Sequence, residues 1–240
     1  MQHKLLAVVA RATNYRDHDR ILTLITRERG RLTATARGCR KPQSKLLSCT
    51  QPFCYGEYEL QERDGRFYVR GCDIHEIFYD LRLDPKALSA AAFATSVCEQ
   101  FANPEEENAR HFALLLRTLS YLCRKDADIQ GILSFFLIKL LDFSGYRPQV
   151  DACVLCGETQ GLTHYDAQLG GALCALCARQ APRAKRVKLS TLEAMDALVE
   201  VPSAAYPAIA EQLEAIGAEL LPLCRQTIGQ YCERKLPELL

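Results

Sequence analysis

The chain has 240 residues, of which 48% are hydrophobic, and its formal net charge is +1. Domains usually have about 100–150 residues, so this length favours two globular domains with buried cores. The most apolar stretch, residues 131–143, is shorter than the about 20 residues that cross a bilayer, and the first ten residues show no secretory signal pattern. We therefore expect a soluble cytoplasmic protein.

The first eighty residues predict a small β-barrel. Five segments have the β-branched content or the polar–apolar alternation of strands: Leu5–Arg11, Ile21–Thr26, Arg31–Gly38, Phe53–Gln61 and Arg66–Arg70. Asp64 and Gly65 form a two-residue hairpin signal between the last two segments. This pattern favours a closed barrel of the oligonucleotide-binding (OB) type, although an SH3-like barrel would have a similar pattern.

A basic segment runs through these strands. Residues 11–45 contain ten Lys or Arg and three Asp or Glu, so they carry +7 and the rest of the chain carries −6. Such a concentration favours an anionic partner such as single-stranded nucleic acid, although the charges would also suit a solvated face. The candidate contacts are Arg31, Arg37, Arg40, Lys41 and Lys45. The nearby aromatic residues Tyr15, Phe53, Tyr55 and Tyr68 either stack on bases or pack in the core.

From residue 85 onward the pattern predicts helices, so the expected fold class is α+β. Helices are expected over Leu88–Phe101, over a segment opened by Asn103–Glu106 with an apolar stripe from Phe112 to Leu122, and over Ile129–Phe143. Ser190 with Glu193 fits a capping box that opens a further helix. Two more helices are expected within Tyr206–Leu236, with a break or kink near Pro222.

Two Cys-x-x-Cys pairs carry the strongest chemical signal. Cys153 and Cys156 are followed, after seventeen residues, by Cys174 and Cys177. This spacing is typical of a closed structural zinc site, in which four thiolates leave no position for water. Redox-active or simply buried cysteines are the alternative, and His164 could replace one ligand. The other eight cysteines are expected to be reduced and buried.

Sequence motifs of several enzyme classes are missing. The chain has no Gly-x-x-x-x-Gly-Lys-Ser/Thr loop and no Gly-x-Ser-x-Gly elbow. It also lacks the His-x-Glu that accompanies Cys-x-x-Cys in nucleobase deaminases, since His75 and Glu76 are adjacent. We therefore expect a protein that is not an enzyme.

A second basic run follows the cysteine pairs. Its members are Arg179, Arg183, Lys185, Arg186 and Lys188, with no acidic residue among them. The run either contacts phosphate or forms a solvated linker.

The order of these features resembles that of the RecO family of DNA-repair proteins. The resemblance rests on Asp19–Gly30 (DRILTLITRERG), Ala36–Ser44 (ARGCRKPQS) and Gln51–Phe53. A helical region, a four-cysteine segment after Gly145–Pro148 and a final helix pair follow in the family's order, so the resemblance covers essentially the whole chain. The sequence departs at Cys39, where a small residue such as Ala is usual.

The resemblance implies an OB domain over residues 1–80, a helical domain over 81–150 and 179–240, and a zinc module over 151–178. It also implies one structural Zn²⁺ and a recombination mediator that binds single- and double-stranded DNA and anneals complementary strands. Arg37, Arg40 and Lys41 match basic positions of the family motif. The alternative is an RNA-binding or transcription-associated adaptor with the same barrel and zinc segment.

The implied partners are RecR, the C-terminal tail of single-strand-binding protein (SSB) and, indirectly, RecA, which the protein would help to load onto SSB-coated strands. The implied location is the nucleoid. An acidic, apolar-ended tail needs basic residues beside an apolar groove. Arg117, Arg124 and Lys139 are the residues we expect to be closest to such a site.

Overall fold

Five strands close into a barrel in the computed structural model, which describes all residues from 1 to 240. They are β1 (Gln2–Tyr15), β2 (Asp19–Thr26), β3 (Arg31–Ala36), β4 (Tyr55–Arg63) and β5 (Arg66–Glu76). They are hydrogen-bonded in the order β1-β2-β3-β5-β4, β4 closes the barrel by pairing with β1, and only β3 and β5 run parallel. The predicted closed OB-like barrel is therefore confirmed.

β1 is longer than the sequence pattern predicts, because it pairs with two different neighbours. Residues 2–8 pair with β4, and residues 7–15 pair with β2. A bulge between Val9 and Arg11 lies in the part that pairs with β2. Bulges bend a strand and increase its twist, which helps one strand to serve two sides of a barrel.

Alternation along β3 and β4 fills the barrel interior as predicted. Leu32, Ala34 and Ala36 are buried, whereas the residues between them are partly or fully exposed. Tyr58 of β4 is also fully buried, and its hydroxyl donates to the carbonyl of Cys49 at 2.6 Å. The predicted hairpin is confirmed, because Asp64 and Gly65 both have positive φ (49° and 69°) between β4 and β5.

Two helices complete the first compact unit, which comprises Met1–Cys123 with Leu239–Leu240. α1 spans Pro85–Phe101 and begins at Asp84, whose side chain accepts a hydrogen bond from the N–H of Lys86. α2 spans Ala109–Leu122 and buries most of its predicted apolar stripe. With these helices the predicted α+β class is confirmed.

The predicted start of α2 at Asn103–Glu106 was wrong. Glu105 has a φ of 65°, which no helix interior allows, and its N–H donates to the carbonyl of Arg29 at 3.1 Å. The N–H of Asn108 likewise donates to the carbonyl of Arg27 at 2.8 Å. These donors bind the turn between β2 and β3 instead of opening a helix, a tertiary contact that local propensity does not reveal.

The second compact unit comprises Arg124–Glu238. Its elements are α3 (Ile129–Phe143), β6 (Leu162–Asp166), β7 (Gly171–Cys174), α4 (Ala175–Ala178), β8 (Lys185–Arg186), α5 (Leu189–Glu200) and α6 (Tyr206–Gly229). α3 has the predicted bounds and is buried on nearly all sides. The small sheet has the strand order β7-β6-β8. None of the helices combines the length and apolarity that a bilayer crossing needs.

Two details predicted for the last helices were wrong. α5 begins at Leu189 after Lys188, so Ser190 lies inside the first turn and is not the capping residue. α6 continues through Pro222 for 24 residues, where two helices were expected. α6 packs closely against α3 before the proline, since a Cβ on Gly217 of α6 would lie 2.8 Å from the backbone N of Gly131 in α3. The helix also buries Leu220, Leu221, Leu223 and Cys224 around Pro222, and burial of apolar side chains opposes the about 3 kcal/mol that an interior proline costs.

Candidate metal centre and nucleic-acid interface

The sulfur atoms of Cys153, Cys156, Cys174 and Cys177 lie within 4.8 Å of one another. The sulfurs of Cys156 and Cys174 are 3.9 Å apart. A tetrahedral zinc site with bonds of about 2.3 Å places its sulfurs about 3.8 Å apart. The predicted cluster is thus confirmed as a set of donors that fits one metal ion, and four thiolates are the donor set of structural sites.

Backbone contacts bring the two pairs together. The N–H of Val154 donates to the carbonyl of Ala172 on β7 at 3.0 Å, which holds the first pair against the strand that ends at Cys174. Gly157, with a φ of 76°, turns the chain and donates to the carbonyl of Cys153 at 2.8 Å. The two loops therefore have a defined geometry around the sulfurs.

The surroundings of the cluster alter the pKa values of Cys153, Cys156 and Cys177. Burial of Cys153 raises its pKa, but hydrogen bonds from the backbone of Cys174, Leu155 and Cys156 outweigh this and lower the pKa to about 6. The pKa of Cys177 is raised to about 12, chiefly by its contacts with the thiols of Cys156 and Cys174. The Cys153 thiolate forms readily, whereas Cys156 and Cys177 resist ionisation, an arrangement that a divalent cation would relieve.

His164 is not part of the cluster. Its Nδ1 lies 2.9 Å from the hydroxyl of Thr163, and the cluster of four sulfurs does not include it. Cys153 and Cys174 are buried, whereas Cys156 is exposed and Cys177 is partly exposed. Two of the four donors therefore reach the surface of the second unit.

The five basic residues predicted from the sequence lie on and beside β3. Arg31, at its first position, and Arg37, directly after it, continue the outward register of Thr33 and Thr35. Arg40, Lys41 and Lys45 are exposed in the loop that follows.

This loop is held against the barrel rather than extended into solvent. The N–H of Gly38 donates to the carboxylate of Asp19 at 2.7 Å. The guanidinium of Arg40 donates to the carbonyls of Asp17 (3.2 Å) and Arg16 (3.4 Å) in the turn between β1 and β2. Arg40 therefore ties the loop to this turn and keeps Lys41 at the rim.

Other bases of the same segment have structural partners. Arg11 forms an ion pair with the buried Glu99 at 3.1 Å, and Arg29 pairs with Glu105. Arg20 donates to the hydroxyl (3.1 Å) and carbonyl (3.2 Å) of Thr50. The five predicted contacts form no ion pair with Asp or Glu in the structure, so their charge remains available to an anion.

The four aromatic candidates separate into two groups. Phe53 is buried, and Tyr55 packs edge-on against other rings. Tyr15 is 40% exposed. Tyr68 lies outward on β5 opposite Thr35, and the guanidinium carbon of Arg37 lies 4.5 Å from its ring centroid. Tyr15 and Tyr68 are thus the rings that lie beside the basic face.

Two further residues discussed from the sequence, Cys39 and Lys139, are buried. Cys39 is fully buried in the barrel core, so its thiol replaces a small apolar residue without reaching solvent. Lys139 is 4% exposed, and its ammonium donates to the carbonyl of Val199 at 2.5 Å. Lys139 therefore supports the interior of the second unit and does not present its charge to a partner.

Comparison with known families covers nearly the whole chain. A family model described as "Recombination protein O N terminal" matches residues 1–78, and one described as "Recombination protein O C terminal" matches residues 82–240. The chain is similar to proteins named "DNA repair protein RecO". That of Alkaliphilus metalliredigens is 34% identical over 69% of this chain and 68% of its own length. That of Acetivibrio thermocellus is 33% identical over 65% of this chain and 62% of its own length. That of Desulforamulus reducens is 32% identical over 98% of this chain and 91% of its own length.

Proposed function

Because the chain belongs to the RecO family of DNA-repair proteins, we propose that it is a recombination mediator. It binds single- and double-stranded DNA and anneals complementary strands without catalysing a covalent reaction. The observation that carries this proposal is the basic face of the barrel, where Arg31 and Arg37 flank Thr33 and Thr35 on one side of β3. A row of cations without acidic partners suits a sugar–phosphate backbone, whose contacts position a strand without reading its sequence.

Annealing follows from the same electrostatics. Two complementary strands repel each other through their phosphates, and bound cations with released counterions offset that repulsion. The basic segment of the first unit, together with OB topology, supports binding of strands whose bases remain accessible for pairing. Arg37, Lys41 and Lys45 contact phosphate, and Arg40 positions the loop that carries the two lysines.

The metal ion is proposed to be zinc. Cys153, Cys156, Cys174 and Cys177 would hold it with all four positions filled, so it would stabilise the module and activate no water. We propose a functional division into an OB domain (residues 1–80), a helical domain (81–150 and 179–240) and a zinc module (151–178).

The proposed partners are RecR and the C-terminal tail of SSB, and RecA is loaded as the consequence of their joint action in the nucleoid. Arg117 and Arg124 are the candidate basic residues for docking of this tail. Strand annealing in the absence of nucleotide tests the proposal. Annealing of complementary oligonucleotides without ATP supports it, and a protein that binds DNA but leaves the annealing rate unchanged contradicts it.

A further inference from the structure

A groove lies beside the cysteine cluster in the second unit. It consists of two adjoining cavities of about 500 and 440 Å³. Asp166, Gln168, Pro182 and Arg183 line both cavities, so the two cavities meet along these residues and together make up the groove. Leu155, between the first two cysteines, lines one end, and Gln226 and Gln230 near the end of α6 line the other.

The accessible charge of this groove is positive. Arg183 and Lys185 line it and are exposed. Asp166 is the one acidic residue in the lining, but it is 3% exposed. Its carboxylate accepts hydrogen bonds from the backbone N–H groups of Gln168 (2.8 Å) and Leu169 (3.2 Å). The carboxylate therefore closes a turn and faces away from solvent.

The sheet fixes which members of the second basic run face the groove. Lys185 and Arg186 form the edge strand β8, paired with Tyr165 and His164 of β6. Successive side chains of a strand point to opposite sides, so Lys185 and Arg186 point in opposite directions. Arg183 lies in the turn before β8 and lines both cavities. Arg186 belongs to the same run but does not line either cavity.

Four glutamine side chains supply neutral hydrogen-bonding groups along the groove: Gln168, Gln180, Gln226 and Gln230. All four are exposed. An amide offers both a donor and an acceptor, as the edge of a nucleobase requires, whereas the carboxylates of an acidic peptide need donors only. At the apolar end, Leu155 and Leu169 are 50% and 44% exposed and can contact the face of a base.

We propose that this groove is a second binding site for single-stranded nucleic acid, in which Arg183 and Lys185 contact phosphates and the glutamine amides contact unpaired bases. A single strand suits the groove because the base edges are accessible only when the bases are unpaired. The site lies in a different unit from the basic face of the barrel. The groove therefore does not depend on the function proposed for the basic face.

Hydrogen exchange on the full-length, metal-loaded protein tests this inference. A single-stranded oligonucleotide should slow exchange in peptides covering residues 180–188 and 226–231. The same protection should persist in an Arg37→Ala/Lys41→Ala variant, whose barrel contacts are weakened. If the oligonucleotide protects the groove but not the basic face of the barrel in the wild-type protein, the proposed function is contradicted. Absence of protection at 180–188 would overturn the groove assignment.

The affinity of groove variants for a single-stranded oligonucleotide, measured at several salt concentrations, is a second test of the inference. Arg183→Ala/Lys185→Ala should make the dependence of log affinity on log salt shallower by about 1.4, since each phosphate contact to a single strand contributes about 0.7. Gln226→Leu should weaken binding without changing that slope. Arg186→Ala, which removes a charge from the other side of β8, should leave both unchanged. Protection of residues 180–188 by an acidic peptide but not by the oligonucleotide would assign the groove to a protein partner instead.

Discussion

The guanidinium carbon of Arg37 lies 4.5 Å from the centroid of the Tyr68 ring. Arg37 follows β3 and Tyr68 lies on β5, the two strands whose parallel pairing includes Thr35 and Tyr68. The ring therefore holds the cation over the barrel surface, beside the loop that carries Lys41. This contact gives the basic face a fixed geometry, and it leaves the charge of Arg37 available.

Arg37→Ala and Lys41→Ala should each weaken DNA binding to a similar degree on different sequences, because phosphate contacts carry no base information. For single strands, each substitution should reduce the steepness of log affinity against log salt by about 0.7. Fluorescence anisotropy at several salt concentrations measures both quantities.

Lys4→Ala is the matched control for these variants. Lys4 is also a barrel cation, but its ammonium lies 3.2 Å from Glu59 and 3.8 Å from Glu57. Its charge is compensated within the protein, so its removal should leave the salt dependence unchanged. If Lys4→Ala behaves like Lys41→Ala, net charge rather than the basic face determines binding.

Tyr68→Leu should weaken DNA binding about two- to fivefold, the equivalent of the about 0.5–1 kcal/mol of an exposed cation–π contact. The salt dependence should stay as in the wild type, because no charge is removed. Tyr68→Phe keeps the ring and should bind normally. A large loss in Tyr68→Phe would mean that the hydroxyl, and not the ring, carries the effect.

The sequence predicts the barrel well because its signals are local. Alternation along β3 and the Asp64–Gly65 turn depend on neighbouring residues only. The segment at Asn103–Glu106 has the composition of a helix start, yet the N–H of Glu105 binds the carbonyl of Arg29, more than seventy residues earlier. Such a contact leaves no periodic signal in the sequence.

The candidate sites show the same contrast between local patterns, which the sequence reveals, and long-range contacts, which it does not. The Cys-x-x-Cys spacing predicts the cluster because each pair is local and only one reversal joins the pairs. Composition indicates the basic segment, but it does not separate Arg29, which pairs with Glu105, from Arg31, which has no acidic partner. The groove joins residues from Leu155 to Gln230, and only the folded chain brings them together.

Gly30 lies so close to the segment before α2 that a side chain at this position should destabilise the fold. Gly30 has a φ of +58°, and a Cβ at this position would lie 1.8 Å from the carbonyl oxygen of Asn103. Gly30→Ala should therefore lower the free energy of unfolding by more than the about 1–2 kcal/mol of a left-handed residue, because the segment must also move. Gly65→Ala is the control, since Gly65 has a φ of +69° and no atom within 4 Å of its would-be Cβ. Equal losses in urea denaturation would show that the contact with Asn103 contributes nothing.

One zinc ion per chain should be found by mass spectrometry of the purified protein. Cys156→Ser should lose the ion and increase hydrogen exchange over residues 151–178, because this small module has little core without the metal. The barrel should remain folded. Cys232→Ser, at a partly exposed cysteine outside the cluster, should keep the ion. Unchanged stability on chelation would contradict a structural role.

Metal uptake should release protons and weaken as the pH falls. In the metal-free protein the pKa of Cys177 is raised to about 12, so this thiol is protonated at neutral pH and must ionise to bind. Cys153, with a pKa of about 6, is already a thiolate at pH 7 and becomes protonated below pH 6. The apparent affinity should therefore fall as the pH decreases from 8, and more steeply below pH 6, in competition titrations with a chromogenic chelator. An affinity independent of pH would show that the thiols do not bind the ion.

Annealing of SSB-coated complementary strands tests the central claim most directly. The rate is measured without nucleotide, with intact SSB and with SSB lacking its C-terminal tail, for the wild type and the Arg37→Ala/Lys41→Ala variant. The proposed mediator should anneal strands coated with intact SSB, slow markedly when the tail is absent, and slow in the variant under both conditions. Equal rates with and without the tail, or a variant as fast as the wild type, would contradict a mediator that acts through tail docking and the basic face of the barrel.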